Sequence, residues 1–139
     1  MSRFLIDTNV CLDAALLRIG NKSALKILSS SETGLFEGIL AAHAADTIFY
    51  ILEHEVNKNA AYEVLNGLAK TVRIGEINQA IFDYALKAQW NDFEDALHYF
   101  CAINLKCDGI ISRNKKDFKK SELPVYEPDE FVTQFLNGF

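Results

Sequence analysis

Four aspartates that lie far apart in the sequence are the candidate chemical groups of this chain. Each stands near the end of a predicted strand or the start of a predicted helix. Each also has an ordinary structural explanation, as an N-cap, a favourable first-turn charge or a turn residue. One hypothesis covers the whole set, because the carboxyl ends of parallel strands gather at one edge of a sheet. The four residues are Asp7, Asp46, Asp95 and Asp117.

Carboxylates that share a small volume repel one another, which raises some of their pKa values and destabilises the ionised site. A divalent cation removes this conflict. Because the pattern places no histidine or cysteine among the oxygen ligands, it favours Mg²⁺ or Mn²⁺ over zinc. Such an ion makes water a better nucleophile and stabilises charge on a phosphoryl group. The expected chemistry is therefore metal-dependent hydrolysis of a phosphodiester.

The segment from residue 91 to 95 concentrates three carboxylates at a predicted helix start. Asn91 and Glu94 have the spacing of a capping box, which explains Glu94 as a structural residue. Asp95 is not explained in this way. Residues three or four apart share one side of a helix, so Asp95 lies beside Asp92 and faces a neighbouring element. Asp95 is therefore the stronger candidate for chemistry.

Strands and helices alternate along the chain, which predicts an α/β fold: a three-layer α/β/α sandwich around a mostly parallel sheet. The first strand is uninterrupted apolar sequence, Phe4-Leu5-Ile6, and Asp7 follows it, as in a strand that is covered on both faces. Further strands are predicted near residues 37–42, 71–74, 109–112 and 125–126. In such folds the ligand crevice lies beyond the carboxyl ends of the strands, where Asp7 and the residues after Ile111 are expected to meet.

The composition fits a single domain over residues 1–139. The chain is 50% hydrophobic and 24% charged, which allows a sizeable apolar core without disulfides. Its longest stretch without Asp, Glu, Lys or Arg spans residues 96–105, too short to cross a bilayer. We recognise no secretory signal and expect a cytoplasmic protein. Three cysteines without C-x-x-C spacing are expected to be buried as small hydrophobic residues rather than to join His98 in a zinc site.

The net charge of −5 argues against a protein that coats nucleic acid through a general positive field. The basic residues are nevertheless unevenly distributed. Six of the 14 fall within residues 106–120, where only two acidic residues occur. This segment is either a local basic patch or a solvated turn and helix end, and the charges alone do not separate the two.

Three segments resemble, in order and spacing, the successive motifs of PIN domains, and together they span nearly the whole chain. They are Phe4-Leu5-Ile6-Asp7-Thr8-Asn9-Val10, Asp92-Phe93-Glu94-Asp95-Ala96-Leu97, and Ile110-Ile111-Ser112-Arg113-Asn114 followed by Asp117-Phe118. The last is similar to the threonine-arginine-asparagine and aspartate-phenylalanine ending of one PIN subgroup, with Ser112 in the threonine's place. The resemblance implies a metal-dependent ribonuclease, often the toxin of a VapC-type toxin–antitoxin pair.

The resemblance also implies roles for individual residues. Asp7, Asp46, Asp95 and Asp117 would bind one or two Mg²⁺ or Mn²⁺ ions, with Asp92 and Asn114 as further metal-site residues and Ser112 and Asn9 in support. Ser112 would orient the carboxylate after the first strand. Arg113, Lys115 and Lys116 would hold RNA phosphates beside the metals. Two positions depart from the family pattern: Asp46 replaces the usual glutamate of the third helix, and Asn114 replaces a common aspartate.

The implied partners are an RNA substrate, a small antitoxin protein and a second copy of the chain in a homodimer. An alternative is a non-catalytic PIN-like module that binds RNA or a protein, and the departures at Asp46 and Asn114 keep this reading open. A third reading makes Asp7 a phosphoryl acceptor, as in haloacid dehalogenases or receiver domains. The former class expects a second aspartate two residues later, where this chain has Asn9.

Overall fold

The computed structural model describes residues 1–137, which form a parallel sheet of five strands with helices on both faces. The strands are β1 (Arg3–Ile6), β2 (Glu37–Ala41), β3 (Arg73–Gly75), β4 (Gly109–Ile111) and β5 (Val125–Tyr126). The helices are α1 (Thr8–Ala15), α2 (Asn21–Glu32), α3 (Ala42–Glu55), α4 (Lys58–Thr71), α5 (Gln79–Ala88), α6 (Phe93–Asn104) and α7 (Pro128–Phe135). A short 3₁₀ helix covers Lys115–Phe118. The predicted three-layer α/β fold is confirmed.

The strand order is β3-β2-β1-β4-β5, and every pair of neighbouring strands is parallel. β1 is the central strand, with Leu5 opposite Ile39 of β2 and Ile110 of β4. Because the strands are parallel, their carboxyl ends lie at the same edge of the sheet. The segments that follow β1 and β4, which begin with Asp7 and Ser112, are therefore neighbours.

The two faces of the sheet are covered by different helices. Phe4 and Ile6 of β1 pack into a core with residues of α1, α2, α3, α4 and α7, and the ring of Phe4 lies 4.8 Å from that of Phe131. Leu5 faces the opposite side and packs against α6, on which α5 in turn packs. All three apolar residues of β1 are buried, as the uninterrupted apolar sequence predicts.

Two further expectations concern the chain as a whole. Cys11, Cys101 and Cys107 are buried free thiols, which confirms their prediction as small hydrophobic residues. Within residues 1–137, none of the helices combines the length and the apolar character that a bilayer span requires.

Candidate active site

Asp7 links the central strand to the first helix, and its carboxylate is held by several donors. It follows β1 directly and is the N-cap of α1, where Oδ1 accepts a hydrogen bond from the backbone N–H of Thr8 at 2.7 Å. Oδ2 accepts from the hydroxyl of Ser112 at 2.7 Å and from the amide of Asn9 at 3.1 Å. Asp7 therefore fills its structural role as a cap, and both of its oxygens also face a shared polar site.

The network around Asp7 extends into the segment after β4. The Ser112 hydroxyl accepts a hydrogen bond from the backbone N–H of Asn114 at 3.0 Å, and the Asn9 side chain accepts one from the backbone of Arg113 at 3.3 Å. These contacts join the loops after β1 and β4 into one unit. Ser112 is fully buried, so its hydroxyl has a fixed partner and fixes the orientation of the Asp7 carboxylate.

Burial makes the ionised form of Asp7 costly. Loss of solvent raises the pKa of Asp7 from 3.8 to about 6, although hydrogen bonds from Ser112 and Thr8 act in the opposite direction. The negative charges of Glu94 and Asp117 add to the increase. The carboxylate thus lies near other acids, and a bound cation would offset the cost of its ionised form.

Asp95 is the second buried carboxylate of the site. It lies in the first turn of α6 and is 8% exposed. Burial raises its pKa to about 7, and the charges of Asp7, Asp92 and Asp117 contribute further to this increase. Two carboxylates that are far apart in the sequence therefore repel each other in one buried volume, which is the situation that the sequence analysis expected for a metal site.

The predicted capping box at the start of α6 is wrong. The N-cap is Asp92, not Asn91: one Asp92 carboxylate oxygen accepts from the backbone N–H of Glu94 at 2.8 Å and of Asp95 at 3.3 Å. With Asp92 as the cap, the helix begins at Phe93, and the Glu94 side chain does not cap it. It faces the site instead and accepts a hydrogen bond from the Thr47 hydroxyl of α3 at 3.1 Å.

A histidine also belongs to the group, which corrects the expectation that none lies among the ligands. Nε2 of His98 lies 3.4 Å from a carboxylate oxygen of Asp7 and 3.9 Å from one of Glu94. The side chain is fully buried, and its Nδ1 has no hydrogen-bond partner within residues 1–137. Burial, together with the nearby His43, lowers the pKa of His98 to about 3. His98 is therefore a neutral imidazole at physiological pH. Its Nε2 also lies 3.3 Å from the Thr8 hydroxyl, a contact that a bound cation would replace.

The remaining predicted acidic residues are less enclosed. Asp117 and Asn114 are exposed at the 3₁₀ helix after β4, and Asp117 is close enough to raise the pKa of both Asp7 and Asp95. Asp46 is exposed on α3. Glu94 and other acids of the site raise the pKa values of Asp7 and Asp95, but Asp46 is not among the acids that contribute. The α3 side chain that contacts the site is the adjacent Thr47.

The three basic residues predicted to bind phosphate differ in their partners. The Arg113 guanidinium pairs with the buried carboxylate of Asp13 at 3.0 Å, and the Lys115 ammonium pairs with Glu130 at 3.1 Å. Lys116 is exposed and forms no ion pair with residues 1–137. Arg113 and Lys115 are thus partly neutralised, while Lys116 keeps its charge for a ligand.

The geometry suits one divalent cation. Ligand atoms of Asp7, Asp95 and His98 all lie within 4.8 Å of one another. Two ligands of one ion at about 2.1 Å each are separated by at most about 4.2 Å, so small side-chain adjustments close the group around an ion. The two carboxylates supply the negative charge that a cation neutralises, and the imidazole adds a nitrogen donor.

A comparison with family models places the chain in a known family. The model described as the PIN domain matches residues 3–116, which include all three of the motifs noted in the sequence except the last two residues, Asp117 and Phe118. The chain belongs to the PIN-domain family. A comparison with curated protein sequences finds no match.

Solved structures of VapBC complexes share the fold of this PIN domain. A chain of VapBC from Salmonella typhimurium bound to DNA has a TM-score of 0.72 at 11% identity, covering 92% of this chain and 99% of that one. A chain of VapBC2 from Rickettsia felis bound to promoter DNA has a TM-score of 0.70 at 16% identity, covering 90% and 98%. VapC20 from Mycobacterium tuberculosis, described as a toxin that cleaves the sarcin-ricin loop, has a TM-score of 0.60 at 16% identity, covering 77% and 86%.

The sequence analysis did not assign Glu94, His98 or His43 to the site: it explained Glu94 as a capping residue and overlooked a signal at His98. Asp95 and His98 are three residues apart, so they lie on the same side of α6, and an acid followed three residues later by histidine is a known ligand pair on bundle helices. The sequence analysis considered His98 together with the cysteines and not together with Asp95, so it did not identify this pair. His43 left no such signal, because its contact with His98, 4.5 Å between ring centres, joins two distant helices.

Proposed function

We propose that this PIN domain is a Mg²⁺- or Mn²⁺-dependent endoribonuclease and the toxin of a type II toxin–antitoxin pair. The observation that carries the proposal is the pair Asp7 and Asp95, two buried carboxylates whose pKa values are raised to about 6 and about 7. A protein that buries mutually repelling acids bears a cost that a bound cation relieves. The fold similarity to VapC chains, one of them an RNA-cleaving toxin by its description, supports RNA as the substrate.

The residues present fit such a cation. Asp7 and Asp95 would bind it directly, and Asp117, Asp92 and Asn114 lie at the same edge and would hold it through water or complete a second site. Asp46 is proposed as a further ligand, as the family resemblance implies, and its exposure on α3 suits a contact through water. A bound divalent cation would supply an acidified water and stabilise charge on the phosphoryl oxygens.

The chain's own groups set the position and charge of this site. Ser112, Asn9 and the backbone of Thr8 hold the Asp7 carboxylate in one orientation. The Asp92 cap fixes the first turn of α6, and with it the placement of Asp95. Residues that orient a metal ligand in this way typically contribute about 10–100-fold to metal affinity or activity.

Cleavage of RNA in the presence and absence of divalent metal tests the proposal. We expect the purified chain to cut a mixed RNA pool with Mg²⁺ or Mn²⁺ and to lose this activity in excess chelator, because two repelling carboxylates cannot hold a phosphodiester without the cation. Gel analysis of end-labelled RNA measures the effect. RNA binding without metal and without cleavage would instead support the non-catalytic module, and chelator-resistant cleavage that survives Asp95→Asn would contradict the metal mechanism.

The proposed partner is a small antitoxin protein, supported by the VapBC complexes that share this fold. We expect coexpression with a short reading frame directly upstream of the gene to yield a stable complex by size-exclusion chromatography, and expression alone to arrest growth. Light scattering on the complex measures whether it contains the homodimer that we also propose. Normal growth with the active chain alone, together with proven RNA cleavage in vitro, would contradict the toxin role.

A further inference from the structure

A cleft of about 280 Å³ opens beside the acidic group. Its walls include Trp90, Asp92, Lys116, Asp117, Lys119 and Lys120. Asp92 and Asp117 also belong to the acidic group, since their charges raise the pKa of Asp95. The Asp92 carboxylate that lines the cleft also accepts a hydrogen bond from the backbone N–H of Asp95 at 3.3 Å, so the cleft adjoins the proposed metal site. The volume of the cleft lies just below the roughly 300–1,000 Å³ that small-molecule sites occupy, which suits a single nucleotide unit.

One wall of the cleft is the indole of Trp90, which the core holds in place. Its ring lies 5.1 Å from that of Tyr99 at an interplanar angle of 30°, and 6.0 Å from that of Phe118 at 79°. Trp90 is itself only half-buried, so part of the ring is available to a ligand. An aromatic surface that is already ordered loses little conformational entropy when it binds.

The other wall is basic. Lys116, Lys119 and Lys120 are exposed, and none of them forms an ion pair in the part of the chain that the structure describes. The nearby cations Arg113 and Lys115, by contrast, are paired with Asp13 and Glu130. On a chain with a net charge of −5, three unpaired lysines beside an acidic group give a local attraction for anions that the protein as a whole does not have.

We propose that this cleft binds one nucleotide of single-stranded RNA next to the cleaved bond, with the base stacked on Trp90 and the flanking phosphates bound by Lys116, Lys119 and Lys120. The proposal rests on the proposed ribonuclease function and assigns to this cleft the nucleotide that flanks the cleaved bond. A base can stack on a protein ring only when it has left its own helix. Aromatic stacking combined with a basic groove is the general way in which proteins bind single strands.

An acidic peptide is the competing occupant, because lysines also attract carboxylates. The position of the cleft beside the metal site favours RNA. A polynucleotide that has one phosphate at Asp7 and Asp95 must place its next nucleotide beside them, and Asp92 and Asp117 stand at this junction. An acidic peptide has no phosphodiester for the proposed metal site to hold, so it would occupy the cleft without this second contact.

Trp90 makes the proposal directly measurable, because it is the only tryptophan of the chain. We expect titration of the Asp7→Asn chain, in chelator to prevent cleavage, with a single-stranded oligoribonucleotide to quench the intrinsic fluorescence saturably. The same sequence as a blunt duplex is expected to quench little, because its bases are not free to stack. Quenching by poly-glutamate but not by the oligonucleotide would overturn the proposal in favour of a peptide site.

Variants separate stacking from charge. With a labelled oligonucleotide, we expect Trp90→Ala to weaken binding about 5- to 150-fold and Trp90→Phe, which keeps a ring against Tyr99 and Phe118, to restore much of it. Neutralising Lys119 and Lys120 to Gln should lower the slope of log affinity against log salt by about 1.4, or about 0.7 for each lost phosphate contact. The matched control neutralises the exposed Lys58 and Lys87 of α4 and α5 and should leave the slope unchanged.

The experiments distinguish an incorrect nucleotide subsite from an incorrect ribonuclease assignment. Metal-dependent cleavage with no quenching, and with equal salt slopes for the cleft and control variants, would refute the subsite and leave the ribonuclease intact. Absence of both RNA binding and cleavage would refute both. Circular dichroism of each variant shows whether the fold is retained. If Trp90→Ala does not fold, Trp90→Phe and the lysine variants still decide the matter.

Discussion

Replacing Asp7 by Asn is expected to abolish RNA cleavage and, at the same time, to stabilise the protein above neutral pH. The activity should fall by about 10³-fold or more, since the change removes the charge that binds the cation. Ser112→Ala, which removes the orienting hydroxyl, is the comparison. It should lower the cleavage activity only about 10–100-fold, because Asp7 keeps its charge and loses one hydrogen-bond donor. Single-turnover cleavage of one labelled RNA by the two variants measures this difference.

The stability effect follows from the raised pKa of Asp7. The folded chain binds the Asp7 proton with a pKa of about 6, against the ordinary 3.8, so it holds this proton more tightly than the unfolded chain does. Folding stability therefore decreases as the pH rises from about 4 to about 6, and the full cost persists above that window. Two pKa units correspond to about 3 kcal/mol.

Asn at position 7 avoids this cost but accepts fewer hydrogen bonds from its neighbours. Part of the gain is therefore lost, and we expect the variant to be more stable by about 1–2 kcal/mol at pH 8 and about equal or less stable at pH 4. Urea unfolding in chelator at both pH values measures this. Asp83→Asn, at an exposed residue of α5, is the control and should show no such pH dependence. A variant that is inactive but less stable at pH 8 would mean that Asp7 serves mainly as the cap of α1.

The sequence was sufficient to predict the fold because its strongest local signals agree with the tertiary structure. Phe4, Leu5 and Ile6 have no polar face, which favours a strand that is buried on both sides, as in a parallel sheet with helices on both faces. Asp7 and Ser112 then meet because β1 and β4 are parallel neighbours. This adjacency allows the hydrogen bond between their side chains, which the family resemblance had implied.

The rest of the site depends on contacts that no local pattern encodes. Glu94 had a satisfactory explanation as a capping residue, and only the placement of Asp92 as the cap shows that its side chain faces Thr47 and His98. Arg113 looked like a free cation, but its partner Asp13 lies on α1, a hundred residues earlier in the sequence. Sequence patterns identify which residues can reach a site, whereas the pairing among them is decided by packing between elements.

Divalent cations are expected to stabilise the protein strongly at pH 8 and weakly at pH 5. The reason is competition between protons and metal for the same two carboxylates. The pKa values of Asp7 and Asp95 are about 6 and about 7, so both groups are mostly protonated at pH 5, and neither repels the other or attracts a cation. At pH 8 both are ionised, and the ion relieves their repulsion in addition to binding them.

The size of the effect follows from mass action. A cation at 100 times its dissociation constant stabilises the folded state by about 2.7 kcal/mol, which for a chain of this size corresponds to an increase in Tm of about 5–12 °C. Because the neutral imidazole of His98 adds a nitrogen donor, Mn²⁺ should give at least as large an increase as Mg²⁺. Thermal unfolding monitored by circular dichroism, with and without each ion, measures the shift at both pH values.

Two variants connect this stabilisation to the buried acids. Asp95→Asn should remove most of the increase in Tm, whereas Asp46→Asn should remove little of it, since Asp46 is exposed and would contact the ion only through water. A large loss with Asp46→Asn would place that residue in direct contact with the ion. If neither ion changes the Tm of the unmodified chain at pH 8, the buried carboxylates do not form a cation site, and the ribonuclease would have to act without one.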